Sequence, residues 1–341
     1  MADLAALTDD VLAEILLRLP SPRDVARASA SCASFRRVVS TRSFLRRFRR
    51  LHAPPPPLGV FCCYPAGSGG GVTAAGSQFH ASVPPHPSAP LARAVARSAD
   101  FSFAFLPPPA ADWLVRDCRD GRFLLDRARE DGSTAFTEIA ICDPVFRRYR
   151  LLPTIPHDLA ASVENPYVQR GGGDGDLQSR SSEIFLASRS SDDDDSVSEE
   201  EVPAFTVIWM ACCRGKLVAF FYSSESQQWR VLSPPEYYAL STRRVMGVRL
   251  GQRNHAHGCF YWIVALTHRW LVLDTRKMEF SIVDISPVLS GRAMMFSNQI
   301  TTLESSDGMT TVVVSDVFRP DKRVIHVFQR LVAASEQSHL A

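Results

Sequence analysis

Four consecutive prolines, Pro54 to Pro57, divide this chain into two parts that cannot fold alike. Proline lacks an amide hydrogen and its ring blocks the preceding helical turn, so the segment is stiff and extended and ends any helix that reaches it. Before it, apolar residues recur at helical spacing. After it, Gly, Pro and polar clusters punctuate short runs rich in Val, Ile, Phe, Tyr and Trp, the pattern of β-strands. The reading is a small helical domain over 1–52, a proline-rich linker over 53–57 and a large all-β domain over 58–335.

In the first part, Asp9 and Asp10 sit where a first helical turn would place them against the positive end of the helix dipole. From there Val11, Leu12, Ile15, Leu16 and Leu19 cover an arc of roughly 140°, with Leu17 beyond it, wider than the roughly 100° stripe of a one-sided helix. Such a helix needs cover on two sides. Pro20 and Pro22 stop it, and Ser21 as N-cap, Pro22 at the first helical position and Asp24 at the third start the next. The second helix carries Val25, Ala26, Ala28 and Ala30, and the pattern continues through Phe35, Val38 and Val39. Thr41 caps a last helix with Phe44, Leu45, Phe48 and Leu51 along one face. A unit of this size buries too little surface to be stable without help, which implies that another protein covers part of it.

These helices resemble the F-box, whose pattern is a Leu-Pro, a helix with Leu/Ile pairs, a second Leu-Pro and a Val-Cys-x-x-Trp-like segment. The matching residues are Leu7, Leu12, Ile15, Leu16, Leu19, Pro20, Val25, Cys32 and Phe35; Thr8 stands where the family usually has Pro, and Phe35 where it often has Trp. The resemblance implies docking of these residues on a Skp-type adaptor and, through it, on a cullin scaffold carrying ubiquitin-conjugating machinery. Full burial of Leu12, Ile15, Leu16 and Leu19 would contribute a gross gain of roughly 6–12 kcal/mol, much of it consumed by association and ordering costs.

The β part carries a weak repeat. "CDPVFRRYRLL", "YSSESQQWRVL" and "LDTRKMEFSIV", beginning at Cys142, Tyr222 and Leu273, each place a polar turn after the first residue and an aromatic seven positions on, at Tyr149, Trp229 and Phe280. Each reads as a hairpin with its aromatic on the returning strand. Removing about 30 residues of polar insert, expected to be a disordered acidic segment around 171–201, restores a period near 50, that of kelch-like blades. "GRFLLD" followed by "CDPVFRRYRLLP" also resembles the F-box-associated β-propeller region of plant proteins. The expected fold class is therefore multidomain, α plus all-β. It joins a small helical F-box to a kelch-like β-propeller with room for about five blades, so that the ring is expected to be incomplete. "FSFAFL" at Phe101 to Leu106 is read as one of its strands.

Enzyme chemistry finds no support in the motifs. "GSGGG" at Gly67 to Gly71 lacks the Lys-Ser/Thr ending of a phosphate loop, His255 and His257 lack a third ligand, and neither a G-x-S-x-G nor an H-E-x-x-H segment occurs. No catalytic residue, metal or cofactor is expected. The eight cysteines show no C-x-x-C spacing and read as buried thiols. Arg36, Arg37, Arg42, Arg46, Arg47, Arg49 and Arg50 read as the polar face of an amphipathic helix, with nucleic-acid binding through the helix at 36–50 as the alternative. With a net charge of +2, nucleic acid is not the expected partner. The N-terminus shows no basic segment followed by an apolar one, and the longest apolar run is too short for a membrane span. The expectation is a non-catalytic substrate-recognition subunit of a Skp-cullin-F-box type ligase, intracellular, in nucleus and/or cytoplasm, whose β domain holds an unidentified target protein.

Overall fold

The computed structural model describes residues 7–52, 58–64, 76–127, 136–163, 169–170, 178–179, 182–187, 204–213, 216–235, 250–264, 267, 269–284, 298–304, 310–316 and 323–328. The strands beyond 298 are described by backbone alone. The proline linker and the acidic run Asp192 to Asp195 lie outside the described residues. Among them, 7–59 with 81–92 form one compact unit, and 60–80, 93–187 and 204–328 form the other.

The first unit opens with α1 (Asp9–Leu17), α2 (Pro22–Ser31), α3 (Ala33–Val39) and α4 (Arg42–Leu51). Their starts are set as the capping residues dictate. Ser21 accepts from the amide of Asp24 at 3.3 Å while its hydroxyl donates to the Asp24 carboxylate at 2.6 Å. Thr41 accepts from the Phe44 amide at 3.3 Å. The expected continuous helix from Val25 to Val39 is instead two, because Cys32 is extended (φ −148°, ψ 138°). The hydroxyls of Ser29 and Ser31 donate to the carbonyls of Ala26 and Ala28, each at 2.7 Å, and the second satisfies an acceptor that a longer helix would have paired. Leu12, Leu16, Leu17, Val25, Val38, Phe44 and Phe48 make the core. Arg37 grips Asp9 through two hydrogen bonds, at 2.7 and 3.1 Å, and Arg47 pairs with Glu14, tying α3 and α4 back to α1.

In chain order the remaining elements are β1 (Gly59–Tyr64), β2 (Gly76–Ala81), α5 (Ala89–Ser98), β3 (Leu114–Arg119), β4 (Arg122–Arg127), β5 (Glu138–Asp143), β6 (Arg148–Leu151) and α6 (His157–Ala160). Then come β7 (Gln169–Arg170), β8 (Gln178–Ser179), β9 (Ser182–Ala187), β10 (Thr206–Cys213), β11 (Lys216–Ser223) and β12 (Gln228–Leu232). The last are β13 (Asn254–Ala256), β14 (Cys259–Val264), β15 (Arg269–Asp274), β16 (Glu279–Asp284), β17 (Asn298–Glu304), β18 (Thr310–Asp316) and β19 (Arg323–Phe328). The β unit is built of antiparallel meanders. Three are four-stranded, in the orders β3-β4-β5-β6, β9-β10-β11-β12 and β13-β14-β15-β16, and one is three-stranded, β17-β18-β19. A closed ring is not formed among the described residues.

The repeat read from the sequence is the last hairpin of each four-stranded sheet. Tyr149 faces Cys142, Trp229 faces Tyr222 and Phe280 faces Leu273 across the strands. The residue two before each aromatic, Arg147, Gln227 and Met278, takes a positive φ of 53°, 53° and 54°. One turn geometry recurs three times. The sheets pack face to face. Leu124, Ile139 and Ile141 of the first meet Leu186, Val207, Trp209 and Phe220 of the second. On the other face, Phe185, Ile208 and Ala219 of the second meet Phe260, Trp262 and Leu271 of the third. This burial of both faces explains why the inner strands read as unbroken apolar runs rather than alternating ones.

Two expectations are corrected here. "FSFAFL" is a series of turns, with Phe103 at φ 55°. Phe103 and Leu106 plug the face of the first sheet beside Phe123 and Leu125, with Phe101 and Phe105 packed around them. The segment 171–201, expected to be disordered, contains β9, with Phe185 wholly buried and Leu186 nearly so. Its short apolar run lies between polar stretches that mask it in the sequence. The excision that gave a period near 50 therefore removes an integral strand.

Candidate functional site

The helical unit divides its apolar residues between an inside and an outside. On α1, Leu12 and Leu16 are buried in the unit's own core, as is Val25 on α2. Leu19 and Phe35 pack partly against that core, and Cys32 is half-buried at the elbow between α2 and α3. Of the residues expected to meet a partner, Leu7, Ile15 and Pro20 are exposed. Val11 and Ile15, 44% and 50% exposed, lie one turn apart on one stripe of α1, and Leu7, 38% exposed, precedes the helix. Leu12, Leu16 and Val25 thus fill the unit's own core, while Leu7, Val11 and Ile15 are exposed. Sequence reasoning placed Val11 on the helix arc without singling it out, although its spacing from Ile15 was the available signal.

An open cleft of about 380 Å³ lies at the α2–α3 elbow, lined by Ser31, Cys32, Ala33, Arg36, Arg37 and Ser40. The amides of Phe35 and Ser34 hold the Cys32 thiol below its usual range. Of the arginines read as a basic face, Arg37 and Arg47 are engaged by Asp9 and Glu14, which reduces the positive charge available to a phosphate backbone.

The β unit holds a second constellation where the first strands of its three four-stranded sheets meet. Asp117 and Arg119 come from β3, Glu183 from β9, Arg253 from the residue before β13, and His255 from β13 itself. Arg253 donates to Glu183 at 2.7 Å and lies 3.4 Å from Asp117, while Asp117 accepts the Leu186 amide at 2.9 Å. Trp262 donates its indole N–H to Glu183 at 3.1 Å. The Arg253 guanidinium sits 4.5 Å from the centre of the Phe185 ring, and Arg119 sits 5.1 Å from that of Phe260. Arg119 also lies 3.0 Å from the His255 ring nitrogen. Burial, reinforced by Arg119 and Arg253, pushes the His255 imidazole down to about 4, so it is neutral at physiological pH. Burial raises the Glu183 carboxyl despite the opposing pull of Arg253. The cluster is charge-balanced and ties three sheets at one edge. It was illegible in the sequence, because its members are drawn from segments up to 138 positions apart and carry no shared motif.

His255 and His257, adjacent but for one residue, part company: the His255 ring lies tilted against Phe260 at 5.0 Å, and His257 occupies a turn at φ 50°. Among the described residues no group of three or more His, Cys, Asp or Glu is placed to hold a metal ion. Burial pushes the thiols of Cys142 and Cys212 up to about 12, which keeps them protonated at neutral pH, whereas Cys118 is exposed. Among the described residues no helix is long and apolar enough to cross a membrane.

No protein-family model matches the chain, and no curated protein matches it. Solved structures similar to it include a nidogen/laminin complex, at 10% identity and a TM-score of 0.27 over 62% of this chain and 60% of that one. YCF48 bound to D1 peptide matches at 7% and 0.29, over 66% of this chain and 57% of that one. The hemopexin fold protein CP4 from cow pea matches at 8% and 0.24, over 63% of this chain and 92% of that one. The match spans less than two thirds of the first two. TM-scores this far below 0.5 define neither a shared fold nor a shared activity.

Proposed function

We propose that this chain is a non-catalytic substrate-recognition subunit of a Skp-cullin-F-box type ubiquitin ligase. In this reading the helical unit docks on the adaptor, and the β unit, a propeller-like stack of repeated sheets, holds the target protein. One observation supports it above the others: the outward stripe Leu7, Val11 and Ile15 on a helical unit whose own core is already filled by Leu12, Leu16 and Val25. Exposed aliphatic side chains in a line on a small helical unit mark a protein contact. The β unit supports the other half of the reading, because loops on a rigid scaffold can vary while the scaffold stays fixed.

The test is co-purification with a Skp-type adaptor. Val11→Asp with Ile15→Asp, both at exposed positions, should abolish capture while leaving the helical circular dichroism unchanged. Leu16→Asp is unsuitable, since it places a charge in the unit's own core. Capture that survives the outward double change refutes the docking face.

A further inference from the structure

The three equivalent hairpins differ in how their returning strand is covered. Trp229 on β12 is buried, its indole N–H donating to the Pro153 carbonyl at 2.8 Å. Phe280 on β16 packs partly buried against the core between the second and third sheets. Tyr149, their counterpart on β6, is 46% exposed, and every residue of β6 is exposed. The cause is visible in the packing: the corresponding face of the first sheet is plugged by Phe103 and Leu106, which cover Phe123, Leu125, Ala140 and Cys142 and stop short of the last strand. Tyr149 and Leu151 lie opposite Cys142 and Ala140, and so share that face.

β6 is also the end of its sheet. Since the Leu152 amide donates to the Ile139 carbonyl at 2.9 Å, the antiparallel alternation directs the amides of Arg150 and Arg148 toward β5 and those of Tyr149 and Leu151 outward. Arg148 and Arg150 project on the opposite face from Tyr149 and Leu151. Asp143, across the strands from Arg148, accepts the amides of Val145 and Phe146 through Oδ1, and Asp100 accepts from Ser102 and lies 3.9 Å from Arg147. The strand thus offers outward hydrogen-bonding groups at every second residue, apolar side chains on one face and arginines on the other. Phe146, in the turn before the strand, lies beneath the Arg148 guanidinium at 5.8 Å.

We infer that β6 is a docking edge for an extended acidic peptide segment in which carboxylate and aliphatic residues alternate, adding to the first sheet as a fifth strand. Strand addition supplies main-chain hydrogen bonds, and the period of two sets the side-chain code: aliphatic residues beside Tyr149 and Leu151, carboxylates beside Arg148 and Arg150. A nucleic acid would use the arginines but not the outward amides or the strip of Tyr149 and Leu151. As the target class of a ligase subunit this inference rests on the reading above; as a property of the β unit it does not.

The assay titrates the full chain, without adaptor, into a labelled, capped seven-residue peptide alternating Glu and Val, read by fluorescence anisotropy. The Glu-Val peptide should bind at least tenfold tighter than its Lys-Val counterpart, and binding should weaken with added salt. Arg148→Glu with Arg150→Glu should reverse the preference, a gain that an unfolded variant could not show. Arg230→Glu, at an exposed position of the equivalent β12, should change nothing. Hydrogen exchange at the Tyr149 and Leu151 amides should slow on binding. Equal affinity for both peptides, indifference to the charge reversal, or tighter binding of an oligothymidylate that displaces the peptide would each overturn the inference. Adaptor capture is unaffected by any of these results, so the two readings fail separately.

Discussion

The helical unit and the β unit handle apolar residues in opposite ways. On α1 the side chains of Leu12 and Leu16 are buried while Val11 and Ile15, one residue earlier on each turn, stand in solvent. On β10, Thr206 through Ala211 are buried on both faces, and on β4 Phe123 through Asp126 are too. The β unit stacks sheets so that, among the described residues, most aliphatic surface finds cover within its own chain, whereas β6 is exposed along its whole length. The helical unit is too small for that and leaves a stripe outside. An outward stripe is a surface to be used, whereas a doubly covered strand is scaffold.

The contrast can be broken most sharply at the scaffold. Trp262→Ala removes a fully buried ring and leaves Glu183 without its indole donor, and should cost about 3–5 kcal/mol. Hydrogen exchange should report the loss in β14 and its neighbours while α1 to α4 keep their protection. Phe44→Ala, in the helical core, should cost a comparable 3–5 kcal/mol with the reverse pattern of exchange. Loss of protection in both units from either change would show that the two do not carry separate cores.

Acid sharpens the comparison next. His255 titrates near 4 in the folded chain against about 6.5 unfolded, so its neutrality supports the fold fully above about 6.5. That support is lost as pH falls from there toward 4, up to about 3 kcal/mol, because the unfolded chain takes up the proton first. Glu183, raised by burial, acts in the opposite sense above its ordinary range, so the slope belongs to His255 only in the difference between chains. In denaturant titrations between pH 4 and 7, the β unit of the wild type should lose stability on acidification relative to that of His255→Gln, with no change in the helical unit. The smallest effect is at the cap: Ser21→Ala should cost about 1 kcal/mol, read as faster exchange in the first turn of α2.

What could be read from the sequence was local. Ser21, Pro22 and Asp24 specify a helix start by chemistry confined to a few residues, and they form it. The three hairpin aromatics were legible because the turn before each demands the same backbone. α5 was not recognised at all. β9 was hidden because its apolar run is only four residues, Ile184 to Ala187, and its pairing partner β10 is separated from it by a polar stretch. "FSFAFL" misled because alternating Phe suits a strand, yet Phe103 adopts a positive φ and the rings pack as a plug. At the candidate site the sequence singled out Leu7 and Ile15, which are exposed, together with Leu12 and Leu16, which are buried. It could not divide the first pair from the second, because inside and outside on α1 are decided by where α3 and α4 pack.

Adaptor docking, as proposed, depends on the exposed Val11 and Ile15 of α1. The most direct measurement is the affinity of the purified full chain for a purified Skp-type adaptor, compared between wild type and Val11→Asp with Ile15→Asp at matched thermal stability. Burying two half-exposed aliphatic side chains predicts a loss on the order of a hundredfold. Unchanged affinity, or no binding by the wild-type chain, would contradict it.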